Sequence, residues 1–399
     1  MINHTTPLER VRILDFSHVF QGPMCTQLLA DFGADVIKIE RPDSGDWSRK
    51  WGPFVGDVSL PFIGLNRNKR SLALDLRNET AKKIILKLIK TADVLVHNFR
   101  PGAMERLGLG YDDLKVVNPR LIYAYSSGWG DKGPYVERGR GGHDLMARAT
   151  GGMFAPIGPE GLPVPAGISA DYPAGLLLGI AILLALIARE STGCGQFVST
   201  DLLSATFHSN TWGGPAELNK SKIDSEGDMG GTEKAIRSSF KTKDGCIELS
   251  PVFSQNALRD ISIAMGLGDL SQDPRFNTGQ NQIANGEELN NILAKRFLEK
   301  TTEEWISTLE PKGVLCAEIK TYEQAGEDPQ ILANDLVVEM VHPIAGTIRL
   351  LGTPIRLYET PRTLRYPPPN LGEHNTEILM EIGYTKEEIA TFEREGVFG

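Results

Sequence analysis

The chain has 399 residues, 41% of them hydrophobic and 23% charged, the balance of a soluble globular protein. That length exceeds one ordinary hydrophobic core, so two domains are expected. A formal net charge of -9 supplies no attraction to nucleic acid or to an anionic membrane, and neither is expected as a partner.

Four cysteines, Cys25, Cys194, Cys246 and Cys316, stand far apart. No pair has metal-site spacing, so no metal is expected, and few thiols in a long chain suit the reducing cytoplasm. The opening "MINHTTPLERVRILDF" lacks the basic-then-apolar order of a signal peptide.

Taken in chain order, "VRILDFS" (Val11 to Ser17) reads as a short buried strand. "GPMCTQLLADFG" follows as a helix, with Pro23 suited to its first turn and Gly33 to its end. "ADVIKIERP" is a second strand, so a parallel sheet with a right-handed crossover is expected. "RSLALDL" is a third strand, and "NETAKKIILKLIKTA" an amphipathic helix with Ile84, Ile85, Leu88 and Ile89 on one face. "DVLVHNF" and "RLIYAYSSGWG" add two more strands. Five strands alternating with helices predict an α/β fold with a large Rossmann-like domain.

The stretch 131–167, rich in Gly, Pro and Arg, reads as a long irregular loop. From Gly175 to Ala188 no residue is charged, a run of 14. A bilayer span needs roughly 20 residues, so a helix over 171–190, buried on most faces of a large domain, is the expectation. The polar stretch from about Asn219 to Thr232 reads as a linker. "SSFKTKDGCIELSP" then reads as a hairpin turning at Lys243-Asp244-Gly245, and the C-terminal "GTIRLLGTPIRLYETPRTLRYPPPNLGEHN" as a strand and an extended proline-rich arm. The division expected is a large domain over 1–218, a smaller α+β domain with its linker over 219–330, and a segment 331–399 returning to the large domain.

Asp171, followed by Tyr172 and Pro173, has the look of a helix N-cap, where free N–H groups and the helix dipole favour the ionised carboxylate. The same position would let that carboxylate attack an acyl carbon or accept a proton. His143, in "GRGRGGHDLMARATGGM", is a candidate base or orienting donor near Asp171, or a histidine without function. Basic residues stand where strands should end, notably Arg41 and Arg100, in keeping with a polyanionic small molecule. Walker A and G-x-S-x-G patterns are absent from the sequence.

"GPMCTQLLADFGADVIKIERPDSGDWSR", "NRNKRSLALDL", "VHNFRPGAMERLGL", "NPRLIYAYSSGWGDKGPY" and "TGCGQFVSTDLL" together resemble the family III CoA-transferases, whose superfamily includes the α-methylacyl-CoA racemases. The resemblance implies an interlocked, ring-shaped homodimer in the cytoplasm. It implies acyl-CoA and a small carboxylic acid as substrates, with no tightly bound cofactor. It places Asp171 in "SADYPAG" as the nucleophile that forms a mixed anhydride and then an enzyme–CoA thioester. It maps CoA contacts onto Arg41, Leu74, Arg77, Asn98, Arg100, Arg106 and Arg140. "GDMGGT", with Gly230 and Gly231, resembles a glycine loop that covers the intermediate in some members.

Phe20 stands where formyl-CoA transferase has glutamine, with Gln21 displaced by one, which argues against oxalate/formate specificity. Phe20 and the loops 131–167 and 219–235 are expected to line the acyl pocket, with Gln21 a further substrate residue. His143 in "GHD" is racemase-like, so the alternative is an acyl-CoA epimerase with His143 and Asp171 as acid/base pair. Against it, Ser254 falls about where racemases carry a glutamate.

Overall fold

The computed structural model describes residues 6–155, 162–222, 235–250 and 254–399. It divides into two compact units, Met1–Gly214 with Ala333–Gly399, and Pro215–Leu332.

The first unit is built on a parallel sheet. Its elements begin with β1 (Arg12–Asp15), α1 (Gln21–Asp31), β2 (Asp35–Glu40), β3 (Lys69–Ala73), α2 (Glu79–Ile89), β4 (Val94–His97) and β5 (Ile122–Ser127). They continue with α3 (Asp144–Thr150), α4 (Asp171–Thr192), β6 (Phe197–Asp201) and α5 (Leu202–Ser209). The six strands lie in the order β6-β5-β4-β1-β2-β3, every pair parallel. The fold is therefore α/β and doubly wound, as the strand–helix alternation predicts. Helices cover both faces, so the inner strands carry apolar runs on both sides. One core layer joins Leu14, Ile37, Leu72 and Leu95 to α2; the other joins Ile13, Val36, Val94 and Ile122 to α1 and α4.

Three readings of the sequence are corrected. A sixth strand, β6, completes the sheet; it lies at the edge, and its residues Phe197–Thr200 are half-buried or exposed, so it lacks the apolar run that marks the others. The stretch 131–167 is more ordered than a loop. It holds a helical turn (Pro134–Glu137), α3, and a two-stranded ribbon pairing Phe154–Ala155 with Val164–Pro165. Helix α4 buries one face only: Ala174, Leu178, Ile182 and Ala185 face the core, while Ile180, Leu183, Leu184 and Ile187 are exposed. It ends at Gly193, whose φ of 72° suits the left-handed cap.

The second unit has a three-stranded antiparallel sheet, Ser239–Lys241, Cys246–Ser250 and Leu315–Glu318, packed with helices around Trp305, Phe297, Phe276 and Leu293. The hairpin at Lys243-Asp244-Gly245 forms as read.

In the first unit the C-terminal segment adds a hairpin, Val337–His342 with Gly346–Leu351, then an arm without regular structure. Arg365 of the arm donates to the carbonyls of Ala30, Gly33 and Ala34, at and just beyond the end of α1. Beneath it, fully buried Asp31 accepts from Arg67 at 2.9 and 2.6 Å, from Asn68 at 2.8 Å, and from Thr353 of the arm. Removing this carboxylate strands a buried guanidinium. Asp31→Ala is expected to destabilise the large unit by about 3–5 kcal/mol, read from urea denaturation.

Candidate active site

The order of the strands reverses at β1, which pairs with β2 on one side and β4 on the other. Ligands of open α/β sheets bind outside the carboxyl ends of strands at such a switch point. Here the loops leaving β1 and β4 are tied together. Asn98 accepts from the His18 N–H at 2.9 Å and donates to the His18 carbonyl at 2.8 Å. The loop after β1 also closes on itself, since a Cβ on Gly22 would lie 2.2 Å from that of Ser17.

Beside this junction is a cavity of about 250 Å³ lined by Asn98, Phe99, Arg100, Arg106, Trp129 and Arg140 among others. Arg140 lies 4.6 Å from the Trp129 ring and 4.4 Å from that of Tyr135, so cation–π attraction holds its guanidinium in place. The Trp129 indole N–H is anchored on the Gly141 carbonyl at 2.9 Å. Among the described residues, none of Arg100, Arg106 and Arg140 has an ion-pair partner, so three unneutralised cations surround the cavity. Such a set suits phosphate groups.

The backbone crossing at this cavity demands glycine. A Cβ on Gly142 would meet the Gly128 Cα at 2.5 Å, and one on Gly128 would meet the Gly142 Cα at 2.4 Å. This close approach carries the chain from the cavity wall to His143, which opens α3 and is exposed. Asp144 then accepts from the Ala170 N–H at 2.6 Å and the Ser169 hydroxyl at 2.9 Å, joining α3 to the start of α4.

Asp171 is not the cap of α4. It is the first residue of the helix, after Ala170, and makes no capping hydrogen bond with its side chain. Its carboxylate instead faces the start of α1. The Ser169 hydroxyl donates to Oδ2 at 3.2 Å, and the nearby Gln21 backbone adds a smaller preference for the anion. The Ser169 hydroxyl has one proton to share between Asp144 and Asp171. Burial and the charge of Asp144 raise the Asp171 pKa above the ordinary carboxylate value; Ser169, His143 and the Gln21 backbone oppose this in part. The expectation that a cap would favour the anion is thus reversed: desolvation outweighs the helix terminus.

Gly175, one turn into α4, makes this proximity possible. A Cβ there would lie 2.6 Å from the Gln21 carbonyl oxygen. The Gln21 side chain is buried and its carbonyl oxygen accepts from the Ser126 hydroxyl at 2.6 Å, which ties it to β5. Phe20, before it, is half-buried.

Of the CoA contacts expected from resemblance, Asn98, Arg100, Arg106 and Arg140 converge on the cavity. Arg41 and Arg77 lie outside its lining, exposed at the ends of β2 and β3 and paired with Asp43 and Asp75 at 2.7 and 2.8 Å. The Leu74 side chain is buried in the core beside α2, so a contact with a ligand there would be through its backbone. Gly230 and Gly231 lie outside the described residues.

Trp129, Tyr135, Ser127 and Asp144 were not singled out as site residues. "SSGWGDKGPY" does place Trp129 and Tyr135 around a glycine turn after β5, but their role as a clip for Arg140 depends on the turn geometry. Among the described residues, no cluster of three His, Cys, Asp or Glu side chains could hold a metal ion.

A doubly wound α/β unit with unpaired arginines at its switch point and a partly buried carboxyl at the start of α4 suits a polyanionic small-molecule substrate. The model of CoA-transferase family III matches residues 8–375, and the chain belongs to that family. It is 36% identical to a human succinyl-CoA:glutarate CoA-transferase, covering 96% of this chain and 87% of the relative. It is 40% identical to an acyl-CoA transferase of Fusarium pseudograminearum, covering 98% and 88%. Among solved structures, a CAIB/BAIF family protein from Brucella suis superposes with a TM-score of 0.81 at 31% identity, covering 95% of this chain and 100% of that one. Rv3272 from Mycobacterium tuberculosis gives 0.79 at 34%, covering 94% and 100%.

Gly142→Ala is expected to force the two crossing backbones apart. CoA affinity measured by calorimetry should fall by at least about tenfold, with the melting temperature changed far less than by Asp31→Ala.

Proposed function

We propose that the protein moves CoA from an acyl-CoA thioester to a free carboxylic acid through covalent intermediates on Asp171. The observation that carries this reading is the Asp171 carboxylate, at the first residue of α4 where Gly175 lets the helix close on the Gln21 backbone. In the first step a carboxylate oxygen attacks the thioester carbonyl; the C–S bond breaks and CoA leaves as thiolate, giving a mixed anhydride. The thiolate then attacks the aspartyl carbonyl carbon, and the donor acid departs as its carboxylate, leaving an aspartyl–CoA thioester. An acceptor carboxylate enters and the steps run in reverse. Each step divides one difficult transfer into easier ones.

The raised pKa suits this role, because a more basic carboxylate is a better nucleophile once ionised. When the thiolate adds to the aspartyl carbonyl, negative charge develops on an Asp171 oxygen. The Gln21 backbone, which already favours the Asp171 anion, is suited to stabilise it. Arg100, Arg106 and Arg140 are suited to hold the CoA phosphates, and the Arg140 clip reduces the entropy lost on binding.

For the acid, succinyl-CoA as donor and glutarate as acceptor form the first pair to test, in keeping with the names of relatives from human and from Agrobacterium fabrum. Four free cysteines support action in the cytoplasm. The exposed apolar stripe of α4 supports assembly as a homodimer, testable by sedimentation.

Asp171→Asn is expected to lower kcat by at least about 10,000-fold while CoA binding persists. Turnover near that of the wild type would end the proposal. The same variant should melt higher than the wild type at neutral pH. A carboxyl whose folded pKa is raised favours folding only while protonated, and that contribution is lost as pH rises through the folded value.

In the wild type, kcat/KM for the acyl-CoA should fall on acidification, with a midpoint above the ordinary value of 3.8. The epimerase alternative predicts solvent deuterium at the α-carbon of recovered acyl-CoA; the transferase reading predicts none there.

A further inference from the structure

Val19, two residues before α1, has a φ of 71°. Positive values occur elsewhere among non-glycine residues at Asn68 and Asp335, types that tolerate the left-handed region; for a β-branched residue it is strained. Such strain persists only where the surroundings over-determine the backbone.

They do so here. The Val19 N–H donates to both oxygens of Asp46, at 3.0 and 3.3 Å. Asp46 is fully buried and is itself fixed by the Ser48 N–H and hydroxyl, each at 2.8 Å, and by the Lys38 ammonium at 2.9 Å. Asn98 grips the preceding residue, His18, on its N–H and its carbonyl. Two residues onward is Gln21, whose carbonyl abuts Gly175, one turn along α4 from Asp171.

We infer that Asp46 is a positioning residue for the transfer reaction: by holding Val19 in its left-handed conformation, it sets the entry of α1 and thus where the Gln21 backbone sits against the start of α4, beside Asp171. This rests on the reading of Asp171 as the reacting group. Asp46 does not line the arginine cavity, and its action runs through the strained residue.

That dependence makes a double-mutant cycle decisive, because glycine adopts the left-handed conformation without strain. With succinyl-CoA and glutarate, or the fastest pair from a donor–acceptor screen, Asp46→Asn is expected to lower kcat at least about tenfold with KM for the acyl-CoA changed less than about threefold. Val19→Gly added to Asp46→Asn should restore kcat to within about threefold of Val19→Gly alone. If the two losses simply multiply, or if Asp46→Asn raises KM and spares kcat, the inference is overturned.

Should Asp46→Asn fail to fold because Lys38 is left unpaired, the cycle is run on Lys38→Met, which removes the orphaned ammonium. Trapping wild-type enzyme with hydroxylamine after incubation with succinyl-CoA separates the two claims. Restored kcat without an Asp171 hydroxamate keeps the positioning role and retires the covalent route. A hydroxamate with multiplying losses does the reverse.

Discussion

The site depends on the contact between the first turns of α1 and α4. These helices come from distant parts of the sequence, yet a glycine at 175 lets the α4 backbone press on the Gln21 carbonyl, where a Cβ would lie 2.6 Å away. That approach places Asp171 where one helix begins against the start of another. Its carboxyl loses more in desolvation than it gains from donors, and its pKa rises. A group held in this way has reactivity that stability does not require.

The floor beneath the contact is unusually polar. Asp15 at the end of β1, Lys38 in β2, Asp46 in the loop after β2 and Lys69 at the start of β3 are all fully buried. Lys69 and hydrogen bonds from Ser17 and Thr26 outweigh burial and hold the Asp15 carboxyl down to about 2, while burial pushes Lys69 down to about 8. Hydrophobic side chains of similar volume would often give at least as much stability as buried ion pairs. What these pairs add is direction. Their hydrogen bonds reach backbone atoms of the loop after β1, at Ser17 and Val19, and of the first turn of α1, at Pro23.

Much of this was legible from the sequence. Apolar strand runs spaced by helices marked five of six strands, because a strand buried on both faces has little freedom in composition. The edge strand β6 escaped because its half-exposed residues lack that run. Arg100, Arg106 and Arg140 were legible as candidates by resemblance, and they do meet at one cavity. Asp171 was legible as a chemical candidate, but its helix position and the direction of its pKa were not. Local sequence shows a carboxylate before a helix; only the tertiary fold shows that α1 and Asp144 crowd it. Leu74 and Gln21 illustrate the same limit, since resemblance names a position and the fold decides whether its side chain faces a ligand or the core. Val19 carries no signal in the sequence at all; its conformation is imposed by Asp46, 27 residues away.

The account turns on whether Asp171 exchanges an oxygen atom with its substrates, and isotope transfer reads this directly. An acceptor acid labelled with 18O in both carboxyl oxygens is given to enzyme and acyl-CoA for a single turnover, and the peptide containing Asp171 is weighed by mass spectrometry. The acceptor attacks through one of its own oxygens, and when CoA departs with the acyl group that oxygen stays behind. One 18O on the Asp171 peptide is therefore predicted. Completed transfer with an unlabelled Asp171 peptide, and the label on the released donor acid instead, would contradict it.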